Sequence, residues 1–279
     1  MILVFNHIEI FQQITPSIIK ALIDLGIDVK PTSVIDVNSD DLYIIVALQT
    51  IFQPLPRRFI VYNFEQLEIS SFLGPDYYAR MKKAIAVWDY SLVNIEFLKS
   101  KNIEATHVPF GYTDELICEN INTSEGETKR DIDVFFVGGM SPRRRPVLDD
   151  INNKFKDSFT SKNCFGDKYS KVVNRSKIGI NIHYYEKRPW IFEICRVLPM
   201  LANGCTVISE RSDDKWYDSQ FEGKIIFTEL DELCNQIQTC LSDSTNFTIK
   251  SDAQEWLKTN FDYSKLILKS GVTGLLLNN

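Results

Sequence analysis

The chain lacks the marks of several large protein classes. Its six cysteines show no CxxC spacing, which excludes a zinc ribbon and a thioredoxin-type redox pair. Cys195 and Cys205 fall inside apolar stretches and read as reduced core thiols in a reducing compartment. The three histidines, His7, His107 and His183, form no metal-ligand signature. No apolar run approaches the ~18 residues of a membrane-spanning helix. The apolar start, Met1 to Phe5, is too short for a signal peptide, so a cytoplasmic protein is expected. Acidic residues outnumber basic ones, 37 to 31. A net charge of −6 argues against nonspecific nucleic-acid binding, which needs a basic surface. There is neither a GxGxxG fingerprint nor a Walker lysine.

What is present can build substantial cores: 44% of the 279 residues are hydrophobic and 12% aromatic, enough for two domains. Apolar strand candidates alternate with helical patterns throughout. In the first half the strands are Ile2–Phe5, Val29, Val34–Val37, Leu42–Ala47, Phe59–Tyr62, Ala84–Val87 and Ala105–Val108. Helices are expected from Thr15-Pro16 to Gly26, over Asp76–Lys83 and over Ser91–Lys99. This is a parallel α/β domain over 1–112. The polar stretch CENINTSEGETKRDID marks a linker, 113–130, after which the pattern restarts. The second domain, 131–279, carries strands at Val134–Val137, Asn163–Phe165, Ile178–Ile182, Thr206–Ser209 and Lys224–Phe227, and its terminal helix can return to the first domain. Two Rossmann-like domains follow, with ligands at the strand C-terminal ends facing a central cleft.

The most informative stretch is SKIGINIHYYEKRPWIFEICRVLPMLANGCTVISE, from Ser176 to Glu210. It reads as strand, loop, buried helix from Trp190 to Ala202, glycine turn and strand. Glu193 and Arg196 are the charged residues of that helix, three apart on one face near its start. A helix N-terminus after a parallel strand favours anions, and a carboxylate beside it can hold sugar or ribose hydroxyls. Their alternative role is to pair with each other. Gly138-Gly139 after Val134–Val137 lets a backbone approach a phosphate, and Arg144 in the basic run that follows can clamp it. His183 ends its strand and faces the same edge. In the first domain, Asn6–Glu9, Asn63–Gln66 and Asp89–Asn94 follow three strands. They offer Glu9, Glu65 and His7 as general-base candidates, and Gln66, Asp89, Tyr90 and Asn94 as hydrogen bonders for a polyol. Ser91 is also a good N-cap, with Asp89 orienting its turn. Asp131-Ile132-Asp133 has DxD form but precedes its strand, at the wrong end for the site, and is not read as a metal motif.

These pieces resemble the GT-B glycosyltransferases, in particular the CgeB-like and "glycosyl transferases group 1" branch. FFVGGMSPRRRPVL, SKIGINIHYY and FEICRVLPMLANGCTVISE carry the likeness in the second half, and IVYNFEQL, AVWDYSLVNIEFLKSKNI and HVPFGY in the first. The resemblance implies a nucleotide-sugar donor in the second domain, a glycan or other acceptor in the first, and no required metal or cofactor. It puts Gly139 and Arg144 in the donor-phosphate loop, and Glu193 and Arg196 on the donor helix. A UDP-sugar is the favoured donor. One departure matters. Many retaining members carry a glutamate five residues before the helix-ending glycine, eight after another. Pro199 stands there, and Glu186 and Glu193 are seven apart, which tilts the expectation towards inversion. A noncatalytic sugar or nucleotide binder and a two-domain NDP-sugar epimerase remain the competing readings.

Overall fold

The continuous apolar runs become central strands. Leu42–Ile45 is buried at every position, and Arg58–Asn63 at all but the first. Parallel strands covered by helices on both faces bury both sets of side chains, so they read as unbroken apolar runs rather than alternating ones. The computed structural model describes every residue except His7, Gln12, Gln13, Phe72, 119–129, 157–158, 243–248 and 278–279. Most of the expected linker, 113–130, and the candidate base His7 therefore lie outside the described residues.

In chain order the elements are β1 (Ile2–Phe5), α1 (Thr15–Asp24), β2 (Val29–Thr32), β3 (Leu42–Ile45), β4 (Arg58–Asn63), α2 (Pro75–Met81), β5 (Ala86–Asp89), α3 (Leu92–Ser100) and β6 (Thr106–His107). There follow β7 (Ile132–Val137), α4 (Arg144–Lys154), β8 (Phe159–Lys162), α5 (Asp167–Val173), β9 (Ser176–Asn181), α6 (Ile194–Ala202) and β10 (Thr206–Glu210). The last are α7 (Lys215–Phe221), β11 (Ile226–Thr228), α8 (Leu233–Ser242), α9 (Ile249–Asn260), α10 (Tyr263–Lys269) and α11 (Thr273–Leu277). The chain divides into two compact units, Met1–Glu115 with Phe261–Asn279, and Leu116–Asn260.

Among the described residues, the first unit holds a parallel sheet in the order β2-β1-β3-β4-β5-β6. Its core gathers Phe5, Tyr43, Ile45, Phe59, Val61, Met81 and Leu98 from strands and helices alike. Residues 34–37 form no strand. Thr32 and Val34 close a local turn through the Thr32 hydroxyl, and Val34 stays 68% exposed. The chain's end completes this unit. Tyr112 N–H donates to Phe261 O at 2.8 Å, Tyr263 N–H to Tyr112 O at 2.9 Å, and the Tyr263 hydroxyl to that of Tyr62 at 2.8 Å. Gly111 permits this approach: a Cβ there would lie 2.7 Å from the Tyr263 Cα.

The second unit holds a parallel sheet in the order β11-β10-β9-β7-β8. Val134, Phe136, Ile178, Ile180, Ile208 and Ile237 lie in its core. Its strand β8 precedes the expected Asn163–Phe165. The buried helix starts at Ile194 rather than Trp190. The Trp190 N–H is taken by Asp213 Oδ2 at 2.7 Å, and Glu193, at φ −83° and ψ 62°, leaves the helical region as the N-cap. Asp131 and Asp133, of the DxD-like run, pair with Arg175 and Lys177.

Candidate functional site

In the second unit the site residues gather where β7, β9 and β10, neighbours in the sheet, come to their C-terminal ends. A parallel sheet directs its helix N-termini to that edge. Strand β7 runs into Gly138, whose φ of +156° is strained for residues with a side chain. A Cβ on Gly138 would meet Arg196 Nη2 at 3.0 Å and Arg144 Nη1 at 3.3 Å, so two guanidiniums converge on bare backbone. Arg144 opens α4, its N–H donating to the Ser141 hydroxyl at 3.3 Å. Its side chain is 1% exposed. Nε and Nη2 donate to Ile182 O at 2.9 and 2.5 Å, Nη1 to Gly139 O at 2.8 Å, and Nη2 to Glu193 Oε1 at 3.1 Å. Burial, with some repulsion from Arg196, lowers the Arg144 pKa to about 9, and the group stays charged at neutral pH.

Arg196 projects from the first turn of α6. Its Nη1 donates to Asn181 Oδ1 at 2.6 Å and to Glu193 Oε2. Its Nε and Nη2 carry no hydrogen bond among the described residues. Burial pushes the Glu193 carboxyl up, but Arg196, Arg144 and His183 outweigh it and hold the pKa below the ordinary value. Beside this trio, Arg143 makes a bidentate pair with Glu210, the last residue of β10, and stacks 4.2 Å over Trp190. His183 is fully buried, its N–H donating to Glu210 Oε2 at 2.9 Å and its ring stacking on Trp190 at 5.1 Å. Burial lowers its pKa against the pull of Glu193 and Glu210, leaving a neutral ring. Nε2 lies 3.1 Å from Arg211 O and so carries the hydrogen, which leaves Nδ1 a buried acceptor without a partner among the described residues. Among the described residues, three guanidiniums thus face two carboxylates, and one positive charge is left over. Gly139, Arg144, His183, Glu193 and Arg196 are brought together. Arg143, Glu210 and Asn181 belong to the same cluster; Arg143 is marked in the sequence only as part of the basic run, and Glu210 and Asn181 only by their place at strand ends.

In the first unit, the loop after β4 is organised from within. Asn63 Nδ2 donates to Glu65 O at 3.0 Å and to Asp89 Oδ2 at 2.7 Å. Asn94 Nδ2 donates to Glu65 O at 2.7 Å and to Asp89 Oδ1 at 3.0 Å, while its Oδ1 accepts from Leu67 N–H at 3.0 Å. Asp89 and Asn94, read from the sequence as acceptor binders, therefore turn these hydrogen bonds inward and shape the loop that carries Glu65. Ser91 caps α3, accepting from Val93 N–H at 3.2 Å. Gln66 is buried, and buried Tyr90 stacks on Phe64 at 5.7 Å. Glu65 receives Gln49 Nε2 on Oε1 at 2.7 Å. Burial raises its pKa to about 7, against the lowering effect of the Gln49 hydrogen bond. Glu9 is exposed in the turn after β1, which β3 separates from β4.

Solved structures similar to the chain cover nearly all of it. HepE from Anabaena, in complex with UDP and glucose, matches 98% of this chain and 99% of its own at 12% identity, with a TM-score of 0.62. WaaG, a glycosyltransferase involved in lipopolysaccharide biosynthesis, matches 100% of each chain at 8% identity with a TM-score of 0.58. The chain has the GT-B fold. AviGT4, a GT-B glycosyltransferase involved in avilamycin A biosynthesis, is similar over 100% of this chain at 8% identity, with a TM-score of 0.56. No family model matches the chain, and the narrower likeness to the CgeB-like branch rests on sequence motifs alone. Among curated proteins it is similar to uncharacterized proteins of Acanthamoeba polyphaga mimivirus. One is 29% identical over 167 residues, 58% of this chain, and another 26% identical over 222 residues, 78% of it. The match spans 55% of the first relative's length and 70% of the second's. Within this GT-B chain no described helix is long and apolar enough to cross a membrane.

Proposed function

We propose that the protein is a cytoplasmic glycosyltransferase that moves a sugar from a nucleoside diphosphate, UDP favoured, to a hydroxyl of a glycan or other acceptor. The transfer needs no metal ion and inverts the anomeric carbon. The observation that carries this reading is the buried cluster of Arg143, Arg144, Arg196, Glu193 and Glu210, with its uncompensated positive charge at the strand ends of a GT-B chain.

A leaving diphosphate gathers negative charge as its bond to the sugar breaks. Fixed donors aimed at that charge stabilise it without reorganising. Arg196 suits the task, with Nε and Nη2 available beside Gly138 and the N-terminal end of the α6 dipole behind it. Arg144 holds the phosphate loop in shape, and Glu193 keeps both guanidiniums oriented. His183 lies fully buried behind the cluster and holds Glu210 through its backbone N–H. The acceptor oxygen forms its bond to the anomeric carbon as the sugar–phosphate bond breaks. The pair of that bond leaves with UDP, and the acceptor proton passes to a carboxylate. Glu65 suits this step best, because a base with a pKa near 7 is unprotonated at working pH yet basic enough to take a proton. Glu9 is the alternative base, and Gln66, next to Glu65 in the chain, and Tyr90, stacked on Phe64, are the acceptor contacts of this reading. Pro199, in the place of the second glutamate of retaining relatives, supports inversion.

The test is turnover of a panel of UDP-, GDP- and dTDP-sugars with EDTA present, with and without glycan acceptors, and product configuration read by NMR. Acceptor-dependent turnover of a UDP-sugar with inversion is the expected result. Turnover of donor alone to an epimer, or a product of retained configuration, overturns it.

A further inference from the structure

Glu65 is fixed through its backbone by Asn63 and Asn94, but its carboxylate has one hydrogen-bond partner among the described residues. Gln49, in the turn after β3, donates from Nε2 to Oε1 at 2.7 Å, and Oε2 receives no hydrogen bond there. We infer that Gln49 is a positioning residue, which anchors Oε1 so that Oε2 alone faces outward to take a proton. This rests on the reading of Glu65 as the base. The two residues sit in the segments that follow β3 and β4, which are hydrogen-bonded neighbours in one sheet, so the strand pairing sets the ends from which both segments start.

Among the described residues, Tyr77 on α2 is the titratable group that interacts with Glu65, and Asp89, Tyr78 and Arg80 surround Tyr77 in turn. Tyr77 donates its hydroxyl to Asn63 Oδ1 at 2.9 Å, and burial raises its pKa far above the ordinary value, so it stays protonated. The Tyr78 hydroxyl donates to Leu67 O at 3.0 Å. Asp89 accepts from Asn63, Ser91 and Asn94. Arg80 Nη1 lies 3.5 Å from Leu48 O. Among the described residues, Gln49 alone hydrogen-bonds the Glu65 carboxylate. A neutral donor on a carboxylate favours its charged form. Removing that donor therefore moves the titration of Glu65 to higher pH, and replacing it with a cation moves it lower.

The experiment is a ¹³C NMR titration of the Glu65 carboxyl in the full chain, assigned by its absence in Glu65→Gln. The parent is compared with Gln49→Met, which keeps the shape and loses the donor, and with Gln49→Lys. Thermal melts check that each variant folds. The midpoint is expected above the parent's in Gln49→Met and below it in Gln49→Lys. Midpoints equal to the parent's overturn the inference, and if Gln49→Met does not fold, Gln49→Lys alone decides. The titration needs no substrate, so it stands apart from the assignment of activity. The acidic limb of the pH–rate profile for the turned-over UDP-sugar then reads the base. With Gln49→Met it is expected to move up, lowering the rate at pH 6 about three- to tenfold. A shifted titration with an unmoved limb removes Glu65 as the base, and leaves Gln49 only as the group that sets its protonation.

Discussion

Arg144 and Arg196 lie in one cluster with opposite exposures of their hydrogen-bonding groups. Arg144 is tied to Ile182 O, Gly139 O and Glu193 and is 1% exposed, whereas Arg196 is 18% exposed with Nε and Nη2 unengaged. Arg144→Ala strips buried carbonyls of their donor and halves the charge around Glu193. We expect a loss of about 3–5 kcal/mol in urea unfolding. Arg196→Ala leaves Glu193 with Arg144 but strips Glu193 Oε2 and the buried Asn181 Oδ1 of their donor, so it should cost about 1–3 kcal/mol, while UDP affinity of the folded variant by calorimetry falls about 10–100-fold. If Arg196→Ala binds UDP like the parent, the phosphate clamp is elsewhere.

At the scale of elements, the first unit depends on a segment distant in sequence. The turn into α10 reaches the chain after β6 through two backbone hydrogen bonds and the Tyr62–Tyr263 hydroxyl pair. Gly111 is the narrowest point. A methyl group there meets Tyr263 Cα at 2.7 Å and Phe261 O at 3.0 Å, backbone atoms that a rotamer change cannot move. Gly111→Ala is therefore expected to cost about 1–3 kcal/mol. Hydrogen exchange should locate the damage at the amides of Tyr112 and Tyr263. Unchanged protection at both would mean that the segment adjusts freely.

For the whole molecule, ligand binding links to stability by mass action. The donor site proposed in the second unit offers UDP the guanidiniums of Arg143, Arg144 and Arg196, and its binding is expected to be independent of metal. UDP at a hundredfold excess over Kd should add about 2.7 kcal/mol to stability. The melting temperature should rise equally with and without EDTA. Exchange protection should concentrate at the ends of β7, β9 and β10. A shift abolished by EDTA would overturn metal independence, and protection elsewhere would move the donor site.

The sequence by itself determined the parallel α/β character and the sheet edges where the candidate site residues lie. Unbroken apolar strands such as Leu42–Ile45 can be satisfied only by burial on both faces, and loops after parallel strands open onto one edge of the sheet. It also marked Glu193, Arg196 and Glu65 by charge beside apolar elements. Tertiary structure decided the division of labour. Arg143, Arg144 and Arg145 are alike in sequence, yet one pairs with Glu210, one is buried against Ile182 and Glu193, and one is exposed. Asp89 and Glu65 are both carboxylates at strand ends, yet Asp89 accepts three N–H donors while Glu65 accepts one and is pushed up to about 7. Those differences depend on which side chains meet across neighbouring strands, and hydrogen-bond partners 26 or 49 residues away leave no trace in local periodicity.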